Sequence, residues 1–416
     1  MKHLKILVGL CSLICAVAAM GQSIRQGNGK INNEIFHYSY IEPAQQIKGF
    51  LLLLPGWGES TQSIYEKTKL PRLLLEKGFV TVVPQLHQVL FADDYTISEL
   101  NEIIKQQFEK YNSNKLDIAI GGLSAGGSIA IDYAEHILNA DTTLRLKAVF
   151  AIDPPLDLNR MYTSSENKIR YNCKSKLIRK EGSFIKNYLL HSLNGSPQEK
   201  PDQYLKYSAF SANEQDGGNA KVLKDLPVRL YSEPDLDFVR KKYCDEMQYE
   251  DINAVDLEKL DKFLKSIGNE KAEYITTTGK GFHSWNILDP ADCVQWILRV
   301  TATDSNILNG IWTPIRQEIG GRDLPAVVFQ TQKLIITDTT YTFSAESVDK
   351  GSLEYKNGRM DIYGKEGVNK GKHFNAIYKL DKDQLTICYN LKGDGYPAEF
   401  ETKSKPTLFL SVFRKN

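Results

Sequence analysis

The sequence predicts an α/β fold built on a mostly parallel sheet, followed by a separate small all-β domain. Three observations predict it. Short apolar runs alternate with segments of helical period from Ile31 to about residue 302. A polar stretch between Pro155 and Pro227 interrupts that alternation, and beyond a joint at residues 303–307 short strand-like runs replace it. A chain of 416 residues is also long for a single hydrophobic core, which agrees with two domains.

The strands come first. Gly49 to Leu54 is a continuous apolar run stopped by Pro55-Gly56, and Phe79 to Val83 is β-branched and ends at Pro84. Leu116–Ile120, Ala148–Ile152 and Val228–Tyr231 repeat the theme. Runs of this length bounded by breakers read as strands covered on both faces, as in a parallel sheet. Between them Leu100, Ile103, Ile104, Phe108 and Tyr111 share one helical face, as do Ile129, Tyr133, Ala134 and Ile137, and later Leu257, Leu260, Leu264 and Ile267. Such alternation places ligands at the carboxyl ends of the strands.

The interruption is rich in Tyr and Lys, with a looser helical pattern around Phe184 to Leu193. A structureless loop of that length is unusual inside a compact domain, so residues 156–226 are expected to form a mostly helical lid over that edge. In the last part, residues 308–416, the strand-like runs are Lys333–Thr337, Ser352–Tyr355, Ala376–Leu380, Gln384–Tyr389 and Thr407–Phe413. Turn residues such as Lys392-Gly393-Asp394-Gly395 separate them, the pattern of a small sandwich or barrel.

Lys2 and Lys5, the apolar run Ile6–Ala19 and the small residues of Ala19-Met20-Gly21 predict an export signal over residues 1–21. The mature chain then begins near Gln22 in a secreted or periplasmic location; an uncleaved anchor is the other reading of the same segment. No later segment is long and apolar enough to span a bilayer. The formal charge of +1 gives no electrostatic footprint for nucleic acid or an anionic membrane. Cys173, Cys244, Cys293 and Cys388 remain after signal removal, without metal-ligand spacing. Buried free thiols are expected, although export permits a disulfide, and no metal or organic cofactor is expected.

One motif carries chemistry. Leu116–Ile120 runs into Gly121-Gly122-Leu123-Ser124-Ala125-Gly126-Gly127, and an apolar helix follows. Gly122-x-Ser124-x-Gly126 therefore stands between a strand and a helix, where a sharp turn pushes a nucleophilic Ser124 hydroxyl out beside the helix N-terminus. Gly122 and Gly126 are required because side chains there would collide with the strand and helix. A serine needs a base, and in such a sheet the base follows the last strand. Tyr274–Thr278 reads as that strand, and His283 lies in the glycine-rich loop after it. The acid that orients His283 should follow the penultimate strand, where Glu233, Asp235 and Asp237 compete. Asp235 has the favoured spacing, with Asp237, Glu233 and, last, Asp153 as alternatives. The oxyanion donors are expected to be the N–H groups of Ala125 and of Trp57 in the turn Pro55-Gly56-Trp57-Gly58.

The Gly122–Gly126 elbow, the Pro55–Gly58 turn, the late acid and His283 together resemble the α/β-hydrolase superfamily over about residues 31–302. The turn departs from the usual His-Gly opening, since Pro55 stands where the histidine would be. Residues 308–416 resemble a small lipocalin-like β-domain family of unknown function, in Leu308-Asn309-Gly310-x-Trp312, Gly371–Tyr378, Leu385–Cys388 and Pro397-x-x-Phe400-x-Thr402. That resemblance implies an antiparallel barrel without catalytic residues, and about one hundred residues imply a side-chain-filled interior. The resemblances imply hydrolysis of a small or polymer-linked carboxylic ester, with the β-domain contacting a surface or ligand. A peptidase or amidase would use the same residues. A binding protein on a hydrolase scaffold, with the β-domain adhesive, is the non-enzymatic alternative.

Overall fold

The apolar runs become the middle of an eight-stranded sheet. Its strands are β1 (Arg25–Ile31), β2 (Glu34–Ile41), β3 (Gly49–Leu54), β4 (Phe79–Pro84), β5 (Asp117–Leu123), β6 (Arg145–Ile152), β7 (Val228–Ser232) and β8 (Ala272–Thr276). They lie in the order β1-β2-β4-β3-β5-β6-β7-β8. The computed structural model describes residues 23–44, 46–111, 116–140, 144–301, 307–356, 358–381 and 383–416. The expected export signal at residues 1–21 lies outside them, as do residues 303–306 of the joint.

Every residue of β3, β4, β5 and β7 is buried, which is why these segments lack polar alternation. Pairing is parallel from β4 through β3 to β8 and antiparallel for β1–β2 and β2–β4. The β1–β2 hairpin escaped the periodicity reading because its first strand is polar and largely exposed. Its turn, Asn32-Asn33, has φ of 47° and 72°, the left-handed pair that a tight hairpin needs. Helices Asp94–Lys110, Ala125–Asn139 and Ala254–Ser266 carry the three apolar faces read from the sequence. Leu100, Ile103, Ile129, Leu257 and Leu260 are buried in one core with the sheet. The result is an α/β-hydrolase-like, mostly parallel mixed sheet with helices.

Between β6 and β7 stand helices Leu158–Arg170, Lys176–Ser192 and Pro201–Tyr207 and a 3₁₀ segment, Gly218–Asp225. The first two of these inserted helices approach closely at Gly182, where a Cβ would lie 2.7 Å from the Ser165 carbonyl oxygen. The expectation of free thiols is corrected here: Cys173 and Cys244 form a disulfide across 71 positions. It joins the turn between these helices to the segment that follows β7. Cys293 and Cys388 are free and buried.

The chain divides into two compact units at Ile297/Leu298. The second contains β9 (Gly310–Ile319), β10 (Arg322–Asp323), β11 (Lys333–Thr337), β12 (Thr340–Ser344), β13 (Val348–Lys356), β14 (Arg359–Glu366), β15 (His373–Asp381), β16 (Gln384–Asn390) and β17 (Leu408–Lys415). Each strand pairs antiparallel with the next around the ring, and β17 returns to β9. An eight-stranded barrel is thereby closed, with β10 a short appendage on β9. Trp312 is fully buried and donates to the Leu308 carbonyl at 2.8 Å. The interior is not filled as expected. Eight tilted strands enclose more space than their side chains occupy, and a cavity of about 190 Å³ remains between Leu334, Leu353, Ile387 and Phe413.

No helix among the described residues is long and apolar enough to cross a membrane.

Candidate active site

Ser124 lies one residue beyond β5 and immediately before helix Ala125–Asn139, with φ 54° and ψ −126°. A positive φ on a serine is strained, and the surroundings hold it. The Ser124 N–H donates to the Ile152 carbonyl at 2.8 Å, and the Ser124 carbonyl accepts from the Ser128 N–H at 3.0 Å. The two flanking glycines are sterically required. A Cβ on Gly122 would lie 2.4 Å from the Gly126 oxygen, and one on Gly126 would lie 2.4 Å from the oxygens of both Leu54 and Pro55.

His283 sits seven positions past the end of β8, in a loop with two left-handed glycines, Gly279 and Gly281. Its Nδ1 lies 2.5 Å from Asp153 Oδ2. The expectation of Asp235 behind the imidazole is corrected by this contact. Asp235 instead caps the short helix Leu236–Lys242, accepting the Phe238 N–H at 2.8 Å, and Asp237 is exposed in that helix's first turn. Asp153 is buried, one residue beyond β6, and reaches the ring because its φ of 46° turns it out of the strand path. Its N–H donates to the Tyr231 carbonyl at 2.8 Å, and its carbonyl accepts from Asn253 Nδ2 at 3.0 Å. Burial pulls the His283 pKa down, but the hydrogen bond and negative charge of Asp153 outweigh it, so the net direction is upward.

Glu233, one residue beyond β7, has a different task. Its carboxylate accepts the N–H groups of Lys280, Gly281 and Phe282 at 2.6, 3.2 and 2.9 Å, and the Thr277 hydroxyl at 3.1 Å. Burial would raise its pKa, but these four donors hold it below the ordinary carboxylate value. Glu233 thus fixes the loop that carries His283, including Phe282 with its φ of 58°. The sequence placed Glu233 near the site as a rival acid. Its binding to backbone leaves no residue-type signature.

The Gly56–Glu59 segment is a turn closed by the Glu59 N–H to the Gly56 carbonyl at 3.0 Å, with Gly58 at φ 72°. The Gly56 N–H goes to Glu59 Oε2 at 2.7 Å, so neither bond uses the Trp57 N–H. Glu59 also accepts the Trp285 indole N–H at 3.1 Å and pairs with Lys67 at 2.7 Å. One carboxylate therefore joins the Trp57 turn to the His283 loop, a connection that sequence reasoning missed. The Trp57 ring meets Phe184 and Tyr188 of helix Lys176–Ser192 edge-on, with centroids 5.3 and 5.5 Å away. Ala125 is buried in the same apolar cluster.

Ser124, Asp153, His283 and Trp57 line one cavity of about 650 Å³. Its apolar wall comes from helices Leu158–Arg170 and Lys176–Ser192 and from the segment after β7, including Met161, Ile178, Ile185 and Met247. The charged lining groups are paired: Arg160 forks onto Asp256, and Lys168 bonds Glu181. No cluster of metal-ligating side chains occurs among the described residues. The arrangement offers a hydroxyl at a helix N-terminus and a carboxylate-backed imidazole on the wall of one cavity.

No family model and no curated protein matches this chain. Among solved structures the chain is similar to an S-formylglutathione hydrolase from Agrobacterium tumefaciens, with 11% identity, TM-score 0.43, and coverage of 67% of this chain and 95% of that one. An esterase from Rhizomucor miehei shows 14% identity and TM-score 0.44 over 67% and 85% of the two chains. For an esterase from Pyrococcus furiosus the values are 14%, 0.42, 67% and 93%.

Proposed function

We propose that this chain is an exported serine hydrolase that cleaves carboxylic esters by acyl transfer. The observation that carries the reading is the strained Ser124 at a strand-to-helix corner, in the same cavity as the Asp153–His283 pair. Ser124 Oγ attacks the acyl carbon while His283 Nε2 takes its proton, and Asp153 orients the ring and stabilises the imidazolium. The N–H groups of Ala125 and Trp57 bind the developing oxyanion. Collapse breaks the bond to the alcohol oxygen, which leaves with the proton from His283. Water then attacks the acyl-enzyme, again giving its proton to His283, and Ser124 departs with that proton as the carboxylic acid forms. No external oxidant or reductant is needed.

Residues 156–226 act as the lid in this reading, and the barrel is a lipocalin-like domain that contacts a surface or an apolar ligand. The basic and apolar start of the chain supports export, and the Cys173–Cys244 disulfide favours an oxidising compartment. Turnover of p-nitrophenyl acyl esters, set against p-nitroanilides of the same acyl groups, tests the reaction class. The esters should turn over and Ser124→Ala should abolish it. Faster anilide cleavage would reassign the chain to amide hydrolysis.

A further inference from the structure

Most polar groups of the Ser124 cavity are committed to neighbours. Asp251 accepts from the Gln248 N–H at 2.9 Å and the Tyr171 hydroxyl at 2.7 Å, and Arg160 is held by Asp256. Lys168 and Glu181 differ. Lys168, on the first lid helix with 11% of its side chain exposed, donates once, to Glu181 Oε1 at 2.7 Å. Two of its ammonium hydrogens and Glu181 Oε2 have no partner among the described residues.

Stability does not explain this pair. On the second lid helix the other cavity-lining positions, Leu177, Ile178, Phe184 and Ile185, are all apolar, and Glu181 interrupts their stripe. Lost hydration of Lys168 offsets the attraction it gains, and Glu181, with 49% of its side chain exposed, is screened by water, so apolar residues of similar size would serve the wall about as well. Lys168 and Glu181 line the same cavity as His283, and both act on its charge, Glu181 favouring the proton and Lys168 opposing it. His283 is the group that protonates the departing oxygen, so what lies near it faces the alcohol half of an ester.

We infer, resting on the serine-hydrolase reading, that Lys168 and Glu181 form a subsite for a hydroxyl-rich leaving group. The substrate class is an apolar acyl chain esterified to a polyol or sugar. The ammonium donates to one hydroxyl and the carboxylate accepts from its neighbour, while the pair stays neutral and favours no ionic substrate. The acyl chain lies against Trp57, Leu90, Met161 and Ile185.

The test compares kcat/KM for 1-octanoylglycerol and ethyl octanoate, which share their acyl group, in the full chain and in the double variant Lys168→Met/Glu181→Leu. Ser124 labelling by a fluorophosphonate is recorded on both proteins. The native chain should prefer the glycerol ester by about tenfold or more, as hydrogen bonds to charged groups allow. The double variant should lose that preference while its Tm does not fall. A labelled native protein with equal rates, with neither ester turned over, or with the preference intact in the double variant overturns the subsite. A double variant that loses both its preference and its Tm overturns it too, because the pair would then be structural. Absence of both labelling and turnover in the native chain defeats the hydrolase reading itself, and the subsite with it.

Discussion

Asp153→Asn, set beside Asp235→Asn, separates the carboxylate that contacts His283 from the one that the sequence favoured. Charge centres of a carboxylate and an imidazolium in contact lie about 4 Å apart, worth roughly 4 kcal/mol at an effective dielectric near 20. His283 keeps 38% of its side chain exposed, and screening reduces that figure to about 2 kcal/mol. The electrostatic loss alone is therefore about thirtyfold in rate. An asparagine amide would also donate to Nδ1, leaving the proton on Nε2, where the base must be vacant. The combined loss in kcat/KM should reach about a thousandfold or more. Asp235→Asn should leave kcat/KM within about threefold and stability nearly unchanged, because an asparagine oxygen caps a helix about as well as a carboxylate. Steady-state hydrolysis of a p-nitrophenyl ester by both variants provides the measurement. Equal losses, or a larger loss at Asp235, would refute the assignment of Asp153.

In the proposed mechanism His283 is a base only when neutral, so kcat/KM should rise with pH through its pKa. The contact with Asp153 places that midpoint above the ordinary 6.5, and Asp153→Asn should move it down; a pH–rate profile reads both. Gly126→Ala puts a methyl 2.4 Å from two backbone oxygens, so the elbow must shift, lowering stability by about 2 kcal/mol and abolishing most turnover. Thermal melts and ester assays together check that variant, and native values in both would contradict the steric argument. Glu59→Gln should lower kcat about tenfold with little change in KM, since it loosens the Trp57 turn and the His283 loop together. A change in Tm alone would make Glu59 merely structural. Reducing Cys173–Cys244 should remove about 4 kcal/mol, from the 71-position separation, as seen by calorimetry with and without dithiothreitol. Alkylation of both thiols in the native, unreduced protein would contradict the disulfide.

Local chemistry made Ser124 and His283 legible. The elbow is written in consecutive residues, because the backbone oxygens of Leu54, Pro55 and Gly126 leave no room for side chains at Gly122 and Gly126. Asp153 was less visible, since its partner is 130 positions away and its left-handed φ has no signature in residue type. A positional regularity was nevertheless available: Ser124, Asp153 and Glu233 each stand one residue past a buried strand. The sequence reading instead favoured Asp235 and put Asp153 last, because nothing local shows that Asp153 faces the ring while Glu233 binds the loop. In the second unit β11, β13, β15, β16 and β17 were read from their apolar runs. Strands β9, β12 and β14 were missed because exposed and polar side chains break their pattern. Barrel closure rests on β9 meeting β17 from the far end of the unit, and the cavity depends on summed side-chain volume. Neither is a local property. The Cys173–Cys244 pairing likewise depends on where the lid folds back, which spacing does not encode.

Mass spectrometry of the protein after exposure to a fluorophosphonate bears most directly on the central assignment. A single phosphonyl group should appear on Ser124, be absent from Ser124→Ala, and form far more slowly in His283→Ala. An unmodified Ser124, or equal labelling with and without His283, would mean that this hydroxyl is not activated by that imidazole.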